Sequence, residues 1–267
     1  MANTKMSISK DIFNKAYLPY LQDYNKRFSV FYGGAGSGKS VFIEDLMFTI
    51  KNLFPVVTVV STTDQLNNTF GKHIPAMFIH DNYSSELLEK ILERQKSVIK
   101  YNKDHPNKQV NPNILLILDD IQGTTKKLRN DTALDTIYTT GRHYHITLIS
   151  AMQYVNGLTP TQRSNTDFIC LSRDNNRENQ KKLFQAFGGN FNSFQEFQET
   201  FIKLTENHGI MIINNREQSM DIEKCIFWYR VDMSKEGFST FKMCAKCVWE
   251  KNEELNNYRN NITTKSF

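Results

Sequence analysis

A short apolar run leads directly into a glycine-rich segment, and this pair of features limits the fold more than any other. Residues 28–32 are rich in aromatic and β-branched side chains, and apolar residues recur at helical spacing over 41–53. The segment between them matches G-x-x-x-x-G-K-S without a mismatch, with the residues Gly33, Gly34, Ala35, Gly36, Ser37, Gly38, Lys39 and Ser40. A phosphate-binding loop needs a strand before it and a helix after it. The sequence therefore predicts a P-loop.

The residue types in this loop suit a nucleotide triphosphate. The glycines permit positive φ and let backbone N–H groups close around phosphate oxygens. Lys39 is predicted to reach the β and γ phosphates, and the Ser40 hydroxyl to bind Mg²⁺. The helix that follows points the positive end of its dipole at the same anion. ATP and Mg²⁺ are the predicted substrate and metal.

Apolar runs alternate with helix-period segments along the chain, which is typical of an α/β protein. Strands are predicted at 27–32, 56–61, 114–119, 146–151, 168–171, 210–213 and 225–229. Helices are predicted from residue 84 or 85 to about 100, over about 125–140, and from a capping box at Ser193 and Glu196. Together with the P-loop, this alternation favours a P-loop NTPase fold with a mainly parallel central sheet and flanking helices.

Length and composition suggest one large domain. For 267 residues we expect an N-terminal extension at 1–26, a P-loop domain at 27–251 and a polar, frayed tail at 252–267. No apolar run approaches the length that spans a membrane, and the N-terminus lacks a signal-peptide core. With four cysteines in no disulfide-like pattern, these features predict an intracellular protein. A net charge of +5 is compatible with a polyanionic partner without identifying one.

A second nucleotide motif follows at 115–120, where four aliphatic residues precede Asp119 and Asp120. A buried strand that delivers an acid at its carboxyl end is the Walker B pattern. Asp119 is predicted to hold Mg²⁺ through a water, and Asp120 to orient and polarise the attacking water. The alternative for both acids is a strand-end turn or a helix cap. The complete P-loop upstream favours the functional interpretation.

Polar residues around the next strand complete the candidate site. Gln153 follows the strand at 146–151 and could sense the γ-phosphate, although a solvated loop glutamine is the alternative. Arg142 and Arg163 are candidates for an arginine finger, which accelerates phosphoryl transfer by roughly 10³–10⁵. The alternative is an ordinary surface ion pair. We favour Arg142, because it lies between a helix end and a strand where a ring neighbour could reach it.

Weaker patterns remain open. Cys244 and Cys247 form a lone C-x-x-C, which supplies only half of a tetrahedral zinc site. Lys126, Lys127 and Arg129 could contact DNA phosphates, or could equally form a solvated helix face.

The order of these motifs resembles the viral genome-packaging ATPases of the FtsK–HerA superfamily, and most closely the poxvirus-type branch of large DNA viruses and their virophages. The similarity is carried by the P-loop, the 115–120 strand, Gly141-Arg142-His143, the strand ending in Gln153, and the segment from Leu158 to Arg163. The first of these is common to all P-loop NTPases, and the others carry the family assignment.

This resemblance implies a P-loop fold of the RecA/FtsK-like kind. It also implies a ring-forming motor, a pentamer or hexamer, that moves double-stranded DNA into a preformed capsid. It implies capsid or portal vertex proteins as partners, and a location in the host cytoplasm, at the viral factory, or in the virion. Lys39 and Ser40 would bind nucleotide, Asp119 magnesium and Asp120 the water, with Gln153 as sensor and Arg142 as the finger in trans. Many superfamily members have Glu where this chain has Asp120, which is one methylene shorter.

Two other functions fit the same residues. A small-molecule kinase would consume ATP only with an acceptor. An ATP-switched DNA-binding or partition protein would bind DNA in response to nucleotide with negligible turnover. Asp119, Asp120 and Gln153 argue against both.

Overall fold

The computed structural model describes residues 24–121, 128–219 and 221–263. Its strands are β1 (Phe28–Tyr32), β2 (Val56–Ser61), β3 (Ile79–His80), β4 (Ile114–Asp119), β5 (Ile146–Met152), β6 (Phe168–Leu171), β7 (Ile210–Asn214) and β8 (Ile226–Tyr229). Its α-helices are α1 (Lys39–Ile50), α2 (Asp64–Asn67), α3 (Ser85–Asp104), α4 (Thr132–Thr140), α5 (Pro160–Ser164), α6 (Arg177–Phe187), α7 (Phe194–Leu204), α8 (Ile222–Cys225) and α9 (Lys246–Thr263). Short 3₁₀ turns lie at Ala76–Phe78, Pro106–Lys108, Gly141–Tyr144, Val155–Gly157 and Glu206–His208.

The strands form a single sheet in the order β3-β2-β4-β5-β1-β6-β7-β8. Strands β1 to β6 pair in parallel, and β7 and β8 add antiparallel pairs at one edge. The predicted α/β P-loop fold is confirmed. Because β1, β4 and β5 are parallel, the P-loop after β1 and the Walker B acids at the end of β4 lie at the same edge of the sheet. Strand β5 lies between them.

Helices cover both faces of the sheet. In β4, Leu115 and Ile117 pack on the face that holds α1, whereas Leu116 and Leu118 pack on the opposite face, which holds α3, α4 and α7. All six residues of β4 are buried. A parallel strand with both faces covered reads as a continuous apolar run, which explains why β4 was recognisable from its sequence.

The helix predicted at 125–140 is interrupted in the structure. Residues 122–127, including Lys126 and Lys127, lie outside the described residues, Leu128 and Arg129 are helical, and α4 begins at Thr132 after a break at 130–131. Asp131 is its N-cap, with extended backbone and a carboxylate that accepts hydrogen bonds from the N–H groups of Ala133 and Leu134 at 2.8 and 3.0 Å. The prediction missed this cap, which fixes the start of the helix.

The frayed tail predicted from residue 252 is wrong as far as Thr263, because α9 runs through that position. Asn252 is buried, and its side-chain oxygen accepts a hydrogen bond from the Met77 N–H at 3.1 Å. The Trp249 indole donates to the Met243 carbonyl at 2.7 Å. A few specific contacts thus dock a helix whose overall composition is polar.

One predicted helix boundary and one predicted helix cap differ slightly in the structure. The helix predicted to end near residue 100 continues to Asp104. At α7, Ser193 accepts the Glu196 N–H at 3.2 Å, but the Glu196 carboxylate accepts from the Asn192 N–H instead of that of Ser193, so the capping box is only half formed. Within the ranges that the structure describes, no helix is both long and apolar enough to cross a bilayer.

Candidate nucleotide-binding site

The P-loop connects β1 to α1 at the carboxyl edge of the parallel strands. Gly36 and Gly38 have φ of 71° and 86°, a conformation that L side chains rarely adopt, which explains the two glycines at these positions. The Lys39 ammonium donates to the carbonyls of Gly33 and Gly34 at 2.6 and 2.8 Å. These contacts hold the cation across the loop, and its contact with the β and γ phosphates stays a prediction.

The Lys39 ammonium interacts electrostatically with the carboxylates of Asp119 and Asp120. Burial lowers the pKa of the Lys39 ammonium, and the charges of Asp120 and Asp119 oppose this shift. Both carboxylates are therefore close enough to act on the Lys39 charge. The two nucleotide motifs, about 80 residues apart in the sequence, meet at one edge of the sheet.

Asp119 ends β4 and is only 5% exposed. Burial raises its pKa to about 6, with a smaller contribution in the same direction from Asp120, while the Ser61 hydroxyl and the Lys39 charge oppose the shift. Ser61 donates to the Asp119 carboxylate at 3.1 Å, because the two residues are register partners at the ends of β2 and β4. Ser61 was not predicted from the sequence, where its one signal is its place at the end of an apolar run.

The raised pKa of Asp119 predicts that its buried charge lowers the stability of the ligand-free protein, although the proposed function needs that charge. Between about pH 4 and 6 the folded protein keeps a proton that the unfolded chain loses, so the free energy of unfolding falls as pH rises through this window. Replacing Asp119 by Asn removes this cost and should stabilise the ligand-free protein by about 1–3 kcal/mol at pH 8. The same change should remove Mg²⁺-dependent turnover, because it removes the negative charge that is predicted to hold Mg²⁺ through a water.

Thermal unfolding of Asp119→Asn and the parent without Mg²⁺ or nucleotide measures the first effect. The difference should be present at pH 8 and absent near pH 4, where the Asp119 carboxyl is protonated in the folded parent. A lower melting temperature for the variant at pH 8 would contradict the assigned burial cost.

Asp120 and Gln153 are joined directly. The Gln153 amide donates to the Asp120 carboxylate at 2.8 Å, and Asp120 has a left-handed backbone with φ of 48°. Few residues other than Gly, Asn and Asp adopt this conformation, and it costs about 1–3 kcal/mol in strain. The Thr62 hydroxyl also donates to the Asp120 carbonyl at 3.3 Å. The strained backbone directs the Asp120 carboxylate toward Gln153, which follows β5.

The donor set fits a magnesium triphosphate. Hydroxyl and carboxylate oxygens, as on Ser40 and Asp119, are ligands that Mg²⁺ prefers. The P-loop N–H groups and the Lys39 ammonium suit phosphate oxygens. The Ser37 hydroxyl is buried and has no hydrogen-bond partner among the described residues. The residue types at this edge therefore fit the phosphates of a nucleotide and a magnesium ion.

Arg142 lies at the opposite edge of the sheet, among the amino ends of the strands. Its guanidinium pairs with the buried Asp167 at 3.0 Å, donates to the Asn165 carbonyl at 2.5 Å, and lies 4.3 Å from the Phe28 ring centroid. The Arg163 guanidinium instead donates to the Leu158 carbonyl at 2.7 Å, on the P-loop edge. Within one chain, Arg142 is thus held away from the P-loop, and its role as a finger toward a neighbouring subunit stays a prediction.

A cavity of about 240 Å³ adjoins the P-loop and was not predicted. Its lining includes Gly33, Gln153, Ser172 and Lys182. Tyr32 also lines it, and the Tyr32 hydroxyl is buried without a hydrogen-bond partner among the described residues. Arg173, which borders the P-loop after β6, was also missed, because a lone arginine after a four-residue strand carries no pattern.

The remaining candidates do not form a site in the described ranges. No group of three or more His, Cys, Asp or Glu residues there could hold a metal ion. Burial raises the pKa of the Cys244 thiol to about 12, while Cys247 is exposed at the start of α9. Arg129 is exposed, as a solvated or DNA-facing residue would be.

Comparison with known proteins identifies the family. The model of the poxvirus A32 protein family matches residues 19–226. The chain belongs to this family. An uncharacterized protein of Acanthamoeba polyphaga mimivirus is 32% identical over 228 residues, which cover 84% of this chain and 80% of that protein. An uncharacterized protein of Invertebrate iridescent virus 3 is 29% identical over 210 residues, covering 79% and 77%. The predicted poxvirus-type resemblance is confirmed.

Solved structures show the same fold at low sequence identity. The genome packaging NTPase of Sulfolobus turreted icosahedral virus 2, in complex with AMPPCP, has a TM-score of 0.53 and 15% identity. The match covers 78% of this chain and all of that one. ATPases 2 and 3 of EssC from Geobacillus thermodenitrificans have a TM-score of 0.56 and 13% identity, covering 90% of this chain and 45% of that one. Both support the P-loop fold.

Proposed function

We propose that this chain is an ATP hydrolase that drives double-stranded DNA into a viral capsid as a homo-oligomeric ring. One observation carries the hydrolase: the Gln153 amide and the Asp120 carboxylate are joined at the strand edge that also holds Lys39. Such a pair suits the orientation of a water for attack on a γ-phosphate.

The residues divide the chemistry between them. The Asp120 carboxylate accepts the proton of the attacking water, and the Gln153 amide fixes the direction of that carboxylate. The Lys39 ammonium and the P-loop amides offset the negative charge that develops on the transferring phosphoryl group. Ser40 and Asp119 would hold Mg²⁺, which neutralises charge on the phosphates when bound.

Support for DNA as the translocated substrate comes from the similar proteins and not from the geometry of the site. The family is that of the poxvirus A32 protein, the relatives belong to large DNA viruses, and a solved structure of the same fold is named a genome packaging NTPase. The net charge of +5 is compatible with a polyanion. A viral factory in the host cytoplasm, or the virion, is the corresponding place of action, with capsid or portal proteins as partners.

Release of free phosphate, measured with and without duplex DNA over a range of protein concentrations, tests the proposal. We expect DNA to stimulate hydrolysis and activity to rise steeply with concentration, because a ring must assemble. Turnover that requires a small-molecule acceptor would indicate a kinase instead. Nucleotide-dependent DNA binding with negligible turnover would indicate a switch.

The position of Arg142 yields a prediction about the ring. Arg142→Ala should abolish turnover while leaving nucleotide binding intact, because the same chain's Arg142 lies far from its own P-loop. Mixing it in equal amounts with Lys39→Ala should restore about a quarter of the parent activity, since a quarter of the interfaces then join an intact P-loop to an intact Arg142.

A structural role for Arg142 predicts something else. Removing it leaves the buried Asp167 with Arg216, at 3.8 Å, as its one cationic partner among the residues that the structure describes, so the variant would melt at a lower temperature. Loss of stability without any recovery in mixed assemblies would therefore remove Arg142 from the finger role.

A further inference from the structure

Two cavities of about 400 Å³ each meet at the P-loop and share Gly36, Ser37 and Arg173 in their linings. The first extends from Gly34 toward Gln153. The second extends the other way, toward the turn at residues 205–209. Together they form a continuous path across the loop, from the Gln153 end to the turn before β7.

The sheet order gives this path a direction. Asp119, Asp120 and Gln153 lie on β4 and β5, on one side of β1, and they mark the γ-phosphate end. Arg173 follows β6, and the 205–209 turn precedes β7, on the other side of β1. A triphosphate bound along the loop with its γ end at Gln153 must therefore send its nucleoside toward the second cavity.

The second cavity has fixed walls. The Arg173 guanidinium donates to the Ile202 carbonyl at 2.8 Å and to the Asn175 side chain at 2.9 Å, which uses two of its five N–H groups within the described residues. Glycine is required at position 209, because a Cβ there would lie 2.2 Å from the Leu204 carbonyl oxygen. Arg173 is thus held by hydrogen bonds on one side of the cavity, and the turn is closely packed on the other.

The turn also carries backbone strain at its tip. Asn207 and His208 have consecutive positive φ values of 53° and 61°, and both side chains are exposed beside the cavity. Strain of this kind concentrates at ligand sites. An arginine face stacks on aromatic rings, and amide and imidazole groups form hydrogen bonds with base and ribose edges.

We propose that this second cavity binds the nucleoside of ATP, with Arg173 and the Asn207–His208 tip as its recognition groups. The inference rests on the proposed function, because it takes the orientation of the triphosphate from Asp120 and Gln153. It assigns a role to three residues outside both nucleotide motifs.

Comparing AMPPCP with inorganic tripolyphosphate, each with Mg²⁺, separates nucleoside contacts from phosphate contacts. Equilibrium binding of both ligands is measured for the parent, Arg173→Ala, and the double variant Asn207→Gly with His208→Gly. We expect Arg173→Ala to weaken AMPPCP by about tenfold or more and tripolyphosphate by about twofold or less. The double variant should show the same selectivity, and glycine adopts the positive φ of both positions without strain. Retained binding of tripolyphosphate then shows that the P-loop site is still folded, so unfolding cannot explain the loss of AMPPCP binding.

Arg177→Ala is the matched control, because it removes the same charge from an exposed position four residues along the chain and outside the cavity lining. Equal losses for both ligands would place Arg173 against the phosphates and overturn the assignment. Unchanged AMPPCP binding in both variants would also overturn it. A parent chain that binds neither ligand would refute the P-loop site itself, and with it the proposed function.

Discussion

Replacing Lys39 with Ala is expected to lower ATP turnover by about a thousandfold or more. The Lys39 ammonium is the one P-loop cation, and the Gly33 and Gly34 carbonyls hold it at 2.6 and 2.8 Å. Its lowered pKa shows that burial already costs the charged form. A cation held in this way needs little reorganisation when charge develops on the γ-phosphate, and Ala supplies nothing in its place.

The same burial predicts that the variant folds normally. Removing a partly desolvated charge leaves no unpaired carboxylate, because Asp119 and Asp120 keep their contacts with Ser61 and Gln153. We therefore expect an unchanged melting temperature together with lost phosphate release. Lys90→Ala is the control, since Lys90 lies in an exposed helical ion pair with Glu86. Turnover in Lys39→Ala above about a tenth of the parent rate would contradict the assigned role.

Most of the correct predictions of strands and motifs came from short, local sequence patterns. The P-loop and the β4 acids are short and contiguous, and each needs only a strand beside it, so their sequence context was enough to place them. Gln153 was placed because it comes directly after the apolar run that ends at Met152. The hydrogen bond from Gln153 to Asp120 adds what spacing could not give, which is the partner of each group.

Features that depend on long-range packing were beyond the sequence. The runs that became β4, β5 and β6 look alike as buried strands, so nothing local placed β5 between β1 and β4. Ser61 acquires meaning only through its register with Asp119. Helix α9 is polar along most of its length and docks through contacts such as that of Asn252 with Met77, so its composition suggested fraying. Arg173 is distinguished only by its place at the meeting of two cavities.

Replacing Asp120 with Asn should lower turnover by about 10²–10⁴ while leaving the fold and nucleotide binding intact. Asparagine tolerates the left-handed backbone at φ 48°, and its side-chain oxygen can still accept the hydrogen bond from the Gln153 amide. The variant therefore keeps the geometry and loses the charge that accepts the proton from water. Single-turnover hydrolysis, with AMPPCP affinity measured alongside, isolates that loss.

Asp120→Glu separates charge from reach. Glutamate keeps the carboxylate but adds a methylene and fits a positive φ less well, so we expect partial activity together with a lower melting temperature. If Asp120 acts as the base, turnover should rank parent above Glu and Glu above Asn. If Asp120 serves only to fix the loop, the amide should serve as well as the acid, and Asp120→Asn would hydrolyse ATP at nearly the parent rate while Asp120→Glu falls below both. The order of these two variants thus decides between a proton acceptor and a structural strut at the end of β4.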